Sequence, residues 1–366
     1  MPRPDRRTVL IFGGYAVAFA LVALANLLEL PSMVRFVAAV IALTGGAIAV
    51  GEATERLSMR LSPAATGVVQ SVLGNLPELF LAVFALQAGL VEVVAAALVG
   101  SVLGNALFVL GLATLLGGLR NGKLTFSAAA NRLYATELLL GVAALIVPFL
   151  ATQPGAPDFG HAPELSAVVA IVLLVVFAVS VPISIRIAGD APAAKPHIPD
   201  DDEAHEDAPR PLPQTLILLA VSAVSSAFVA DWFVEALQPA MATLGMSEAF
   251  AGLIVVAIAG NAVENLAGVS SALKGRGDLA MSLILNSALQ VVLFLAPVIV
   301  ILSFFVAPMP LTLIFSPLLL GALAVGVLLV LVIVMDGEAN AFEGAMLLGL
   351  YAIIAAAVWW GPTIGT

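Results

Sequence analysis

Two short polar stretches interrupt an otherwise apolar chain: Gly74-Asn75-Leu76-Pro77-Glu78 and Gly260-Asn261-Ala262-Val263-Glu264. Both read Gly-Asn-x-x-Glu, and both sit inside runs that look long enough to cross a bilayer. A carboxylate at the bilayer centre costs about 2.5–3.5 kcal/mol on insertion scales. A chain that carries the same costly motif twice is expected to use both copies together. Gly74, Pro77 and Gly260 weaken the helix at each motif, and Pro77 leaves the carbonyl of Leu73 without its helical donor. Broken helices at membrane depth are tolerated where they line a cavity, and their freed carbonyls coordinate cations. Leu73, Gly74 and Gly260 are therefore the backbone carbonyl candidates. Asn75 with Glu78, and Asn261 with Glu264, lie three residues apart on about one helix face. Together the copies supply two carboxylates, two amides and several carbonyls. That all-oxygen set suits a hard divalent cation such as Ca2+, which takes about six to eight oxygens in irregular geometry, whereas Mg2+ dehydrates reluctantly. The expectation is that Glu78 and Glu264 face each other at the midplane of a transporter and share one cation. The bland alternative is a packing network with each Glu protonated, and the repetition of the motif argues against it.

The composition sets the frame for that chemistry. The 366 residues are 61% hydrophobic and 10% charged, with a mean hydropathy of +1.12. A soluble domain carries about 25% charged residues, so the chain is expected to be an all-α polytopic membrane protein. Cysteine is absent, which excludes a disulfide framework, thiolate chemistry and Cys-type zinc sites. Three His make a His-based metal site improbable. No Ser/His pair, paired Asp or His-rich set suggests an enzyme, and no cofactor or nucleic acid is expected. The net charge of -10 is concentrated in one acidic block, made of Asp200, Asp201, Asp202, Glu203, Glu206 and Asp207. Such a block reads as a solvated linker, either a regulatory cation sensor or a passive hinge.

Spanning requires about 20 apolar residues. Eleven candidate spans follow, near 8–29, 33–56, 65–88, 91–117, 133–152, 165–187, 213–240, 248–273, 278–306, 310–335 and 341–361. The first is read as a retained helix rather than a cleaved signal, because its apolar run is long enough to span. With the N-terminus in the cytoplasm, thirteen of the fourteen Lys and Arg fall inside and only Arg35 falls outside. The positive-inside rule thus favours eleven spans, N-terminus in and C-terminus out.

Glu78 and Glu264 are 186 residues apart, and the same offset matches Gly74 with Gly260, Asn75 with Asn261, Ser101 with Ser287, and Glu92 with Asp278. Asn105 and Gln290 end the match with a slip of one residue. A repeat of five spans is odd, so the second copy is inserted upside down, as in secondary transporters with a midplane site. The expected organisation is an N-terminal helix (1–32), a first five-helix repeat (33–188), an acidic cytoplasmic linker (189–212) and a second five-helix repeat (213–366). Ser101, Asn105, Ser287 and Gln290 are the candidates to line the site beside the motifs. Alone, such residues serve as interhelical glue. Glu52, at one end of span two, and Asp231 with Glu235, toward the opposite end of span seven, are candidates for a proton or cation access path; the alternative is ordinary interfacial charge.

The long matched stretches GNLPELFLAVFALQAGLVEVV…LVGSVLGNALFVLG and GLIVVAIAGNAVENLAGVSSALKGRGDLA…SALQVVLFLAP, with GEATERLS before the first, resemble the Ca2+/H+ antiporters. These are the cation/proton exchanger branch of the Ca2+/cation antiporter superfamily. The resemblance covers essentially the whole chain. It implies that Glu78 and Glu264 bind the transported cation and the proton in competition. Asn75 and Asn261 support them, with Ser101, Asn105, Ser287 and Gln290 around. It also implies that the acidic loop between the halves is a family feature. The expected function is therefore exchange of cytosolic Ca2+ for protons by alternating access, in a prokaryotic inner membrane. The partners are inorganic cations and the lipid bilayer, with a homo-oligomer left open. The rivals are a Na+-driven exchanger of the same superfamily and, further off, a passive cation channel.

Overall fold

The structure is a computed structural model and describes residues 6–61, 63–156, 158–190 and 212–360. Helices dominate it: α1 Arg6–Leu27, α2 Ser32–Ser58, α3 Pro63–Gly74 and α4 Leu76–Gln87; α5 Val91–Asn121; α6 Ala128–Ala151, α7 Ala162–Asp190 and α8 Leu212–Leu244; α9 Glu248–Gly260 with α10 Ala262–Leu273, then α11 Gly277–Val306; and α12 Pro317–Val334 and α13 Ala341–Trp359. Among the described residues nine helices are long and apolar enough to cross a membrane, or ten if the bent pair α9 and α10 is one span. The chain is thus a polytopic helical membrane protein.

Three expectations are adjusted. The third expected span, 65–88, is two 12-residue helices, α3 and α4, that meet at Asn75. Pro77 cannot donate to Leu73, so the ladder stops where the sequence weakened it. The tenth span does not start at residue 310. Residues 310–316 are non-helical and α12 starts at Pro317, because Pro308 and Pro310 break the ladder. The backbone there finds other partners: Leu311 N donates to Ser303 Oγ at 2.8 Å and Leu313 N to Ser166 Oγ at 3.0 Å, both buried. The chain is also not wholly α: β1 Leu124–Thr125 pairs antiparallel with β2 Glu338–Ala339.

The chain divides into two compact units. The first joins Met1–Leu81 with Val175–Leu237. In it Tyr15 of α1 donates to Ser225 Oγ of α8 at 2.9 Å, Phe19 packs on Trp232 with ring centroids 5.5 Å apart, and Phe36 of α2 packs on Phe233. Gly46 packs closely there: a Cβ would meet Ser226 Oγ at 2.6 Å and the Tyr15 ring at 3.2 Å, so both side chains would have to shift. Small residues at such crossings let helices approach closely in a membrane.

The second unit joins Ala82–Leu174 with Gln238–Thr366. Its centre is α5, the most buried span. Gly100 of α5 lies against the Leu253 backbone of α9, and Gly252 of α9 against the Val93 carbonyl of α5. Three π-helical turns interrupt the α geometry of this unit: Gly104–Val109 in α5, Ala251–Val256 in α9 and Val291–Leu295 in α11. Such turns are rare and favour functional positions. At one end of the unit Lys123 pairs with Glu338 across the small sheet at 2.6 Å. The Glu338 hydrogen bond and charge push the exposed Lys123 ammonium up from its ordinary value.

Helix α13 starts with a capping box. Asn340 Oδ1 accepts from Phe342 N (2.9 Å) and Glu343 N (3.1 Å), and Glu343 Oε2 accepts from Asn340 N (2.8 Å). An N-cap lost to alanine costs about 1 kcal/mol. Asn340→Ala is expected to lower the unfolding temperature of the detergent-solubilised protein by a few degrees, read by thermal denaturation.

Candidate functional site

Both motifs break their helix at the asparagine, and they do so alike. In the first unit α3 ends at Gly74 and α4 starts at Leu76. Asn75 is 8% exposed, and its Nδ2 donates to Ser71 O, four residues back, at 2.7 Å. Leu79 N bonds to Asn75 O, so α4 starts cleanly behind the break. Glu78 lies in the first turn of α4 and is half-buried.

In the second unit α9 ends at Gly260, Asn261 takes φ -90 and ψ 21, and α10 leaves at 65° to α9. Asn261 is 4% exposed, and its Nδ2 donates to Ala257 O, again four residues back, at 2.9 Å. Glu264 stands in the first turn of α10, half-buried, with Asn265 beside it. At the N-terminus of a helix a carboxylate meets unpaired N–H groups and the positive end of the macrodipole. Each motif therefore sets a Glu in the first turn of the helix behind the break.

The second unit brings four of the expected residues into one polar network. Asn261 Nδ2 also donates to Ser101 Oγ at 2.9 Å. Asn105 Nδ2 faces three acceptors: Ser101 O at 2.9 Å, Ser287 Oγ at 3.1 Å and Asn261 Oδ1 at 3.4 Å. All four residues are at least nine-tenths buried. Asn105 Oδ1 and Asn265 Oδ1 are buried oxygens with no hydrogen-bond partner among the described residues. An orphaned buried acceptor calls for a water or an ion, and carbonyl-type oxygens are the donors a hard cation takes. Gln290 is half-buried and ends the α-helical part of α11 before its π-turn. Asn286 is exposed.

The remaining candidates scatter. Glu52 is 7% exposed but engaged: Arg56 Nε donates to its Oε1 at 2.8 Å, and Arg7 pairs with its Oε2 at 3.1 Å. Arg56 also donates to Thr8 Oγ1 at 2.7 Å. Asp231 is half-buried and Glu235 exposed, one turn apart on α8. The acidic block, Asp200, Asp201, Asp202, Glu203, Glu206 and Asp207, lies outside the described residues. Among the described residues no group of three or more His, Cys, Asp or Glu is placed to hold a metal ion. A bound cation would thus need amides and carbonyls beside any carboxylate.

Sequence reasoning missed Asn265 and the π-turns. Asn265 adjoins the motif and carries a polar atom at membrane depth, which is signal enough to have named it. The π-turns have no side-chain signature.

The model of the sodium/calcium exchanger protein family matches residues 31–186 and 214–360. The chain belongs to that family. Among its relatives is the Ca2+/H+ antiporter of Synechocystis sp., 37% identical over 90% of this chain and 91% of the relative. Among solved structures, that of native YfkE superposes with a TM-score of 0.80 at 30% identity, covering 95% of this chain and 99% of YfkE. The H+/Ca2+ exchanger CAX shares the fold, with a TM-score of 0.73 at 15% identity over 96% of this chain and 92% of CAX. The resemblance to the Ca2+/H+ antiporters drawn from the motifs is borne out by these matches.

Proposed function

We propose that this family member exchanges cytosolic Ca2+ for protons by alternating access, with Glu78 and Glu264 binding Ca2+ or protons in competition. The carrying observation is the pair of Gly-Asn-x-x-Glu helix breaks, each presenting a Glu in the first turn of the helix that follows. The identity to a Ca2+/H+ antiporter along nine-tenths of the chain supports the same reading. With a cation between them, both carboxylates stay ionised. Without it, like-charge repulsion and loss of solvent favour proton uptake. Ca2+ and protons thus exclude each other, and exchange follows if the empty charged state does not cross. Asn75 and Asn261 add amide oxygens, and Leu73, Gly74 and Gly260 add carbonyls. Ser101, Asn105, Ser287 and Gln290 hold the surroundings, and Asn265 joins them.

The architecture proposed with this function is eleven spans, with α3 and α4 forming one broken span and α9 and α10 another, as an N-terminal helix and two inverted repeats of five. The family match in two segments supports two halves, and the shared i to i-4 amide bond of Asn75 and Asn261 supports their correspondence. The proposed boundaries are 1–32, 33–188, 189–212 and 213–366. The N-terminus lies in the cytoplasm and the C-terminus outside a prokaryotic inner membrane. Asp231 and Glu235 are kept as access-path residues. Glu52 serves there only if its pairs with Arg56 and Arg7 open. The block 200–207 is proposed as a regulatory segment: its deletion should change the Ca2+ dependence of exchange, and an unchanged dependence dismisses that role.

The test uses purified protein in proteoliposomes with a trapped pH dye, an outward proton gradient and Ca2+ added outside. Proton efflux coupled to Ca2+ entry is expected. Ca2+ entry only with Na+ trapped inside would reassign the chain to Na+-driven exchange, and entry without either counter-ion would make it a channel.

A further inference from the structure

The α1–α2 hairpin, wholly inside the first unit, carries an apolar groove that the chain does not fill. The groove measures about 500 Å³, and Leu21, Leu24 and Leu28 of α1 face Val34, Val37 and Ile41 of α2 across it. These six side chains are each about half exposed. A slot of this composition along two membrane-spanning helices fits an extended hydrocarbon chain. One end of it lies at the short turn between α1 and α2, where Leu30 is part of the lining.

One cation, outside the lining itself, belongs to the helical turn at that end. Arg35 lies in the first turn of α2, next to the groove residue Val34. Its Nε is buried and has no hydrogen-bond partner among the described residues. Guanidinium carries five donors and no acceptor, and a buried donor left unpaired costs the full desolvation of that group. Arg35 Nε therefore has an unused donor among the described residues. The charged neighbour in the turn, Glu29, is exposed and sits at φ 48.

We propose that the groove is a phospholipid site: one acyl chain lies along the slot and the phosphate accepts hydrogen bonds from Arg35. The planar fork of Arg matches phosphate oxygens two at a time. Its aliphatic stem can lie against Val34 while the head reaches the interface. A second copy of this chain could fill the slot with apolar side chains, but it would leave the Arg35 donor unanswered. The proposal does not depend on which ion the protein moves.

The test is native mass spectrometry of the full chain in dodecyl maltoside, titrated with dioleoylphosphatidylglycerol or with dioleoylglycerol, which has the same chains and no phosphate. Wild type is expected to retain one phosphatidylglycerol. Arg35→Gln, and Ala38→Leu in the groove lining, should each weaken retention about tenfold, the scale of one charge-assisted hydrogen bond or of a blocked slot. Dioleoylglycerol should bind wild type no better than phosphatidylglycerol binds Arg35→Gln. Val37→Asn, on the exposed rim, is the second groove variant if Ala38→Leu does not fold. Retention unchanged in Arg35→Gln would remove the phosphate contact, and retention unchanged in both groove variants would place the lipid elsewhere. Either result overturns the proposal. So would a dimer lost in the groove variants while lipid retention stays constant, because a second copy would then own the slot.

Discussion

Glu78→Gln and Glu264→Gln are each expected to reduce Ca2+-driven proton movement in proteoliposomes to the level of empty vesicles. Glutamine keeps the shape and one acceptor oxygen of the side chain but holds neither the negative charge nor the exchangeable proton. If Ca2+ needs both carboxylates, one loss removes the charge balance of the site, and if the proton shares it, one loss also breaks the coupling. The fold should survive. Each Glu lies in a first helical turn, where loss of its charge costs about 0.3–1 kcal/mol of dipole interaction. Intact folding is checked by size exclusion and thermal unfolding of each variant. Glu92→Gln, at an exposed position near the start of α5, is the control and should exchange normally. Apparent Ca2+ affinity in wild type should also fall as the pH is lowered, because protons occupy the carboxylates. Wild-type Ca2+ uptake in either Gln variant would end the idea of one shared site while leaving the family assignment untouched.

Hydropathy located most of the helices because membrane spans must be apolar for about 20 residues, and α2, α8 and α11 start within a residue of the positions expected. It failed where helix and extended backbone are equally apolar. In residues 311–315, Leu311, Leu313 and Phe315 are buried and alternate with less buried neighbours. That is an extended pattern, held by Ser166 and Ser303, but its composition reads the same as a helix. The four network residues could be named from their repeat offsets. Their pairing could not, since Ser101 bonds to Asn261, 160 residues on, and Asn105 to Ser287, 182 residues on. The one-residue slip between Asn105 and Gln290 was visible in the sequence. It falls at two π-turns, of six residues in α5 and five in α11, and a change of helical pitch there leaves no mark on residue type. Glu52 shows the opposite limit: its charge was legible, but its partners Arg7 and Arg56 decide what that charge does.

Gly252→Ala and Gly100→Ala are each expected to destabilise the second unit strongly. A Cβ at Gly252 would overlap the Val93 carbonyl, and one at Gly100 the Leu253 carbonyl and Cα. Both obstacles are backbone, so no rotamer change relieves them, and α5 and α9 must separate. Overpacking a well-packed interior costs about 1–3 kcal/mol, and more where backbone must shift; about 3 kcal/mol is expected for each variant. Gly104 supplies the internal control: it lies in the same span, and a Cβ there meets nothing within 4 Å. Gly104→Ala should therefore be close to neutral, although all three substitutions raise helix propensity alike. Thermal unfolding of the three variants in one detergent decides it. Equal midpoints would mean that the α5–α9 crossing yields and that the close approach of these backbones contributes little to stability. A loss confined to Gly100→Ala and Gly252→Ala would show that contact between two glycine-lined backbones holds α5 against α9, the helix that ends at the Asn261 break.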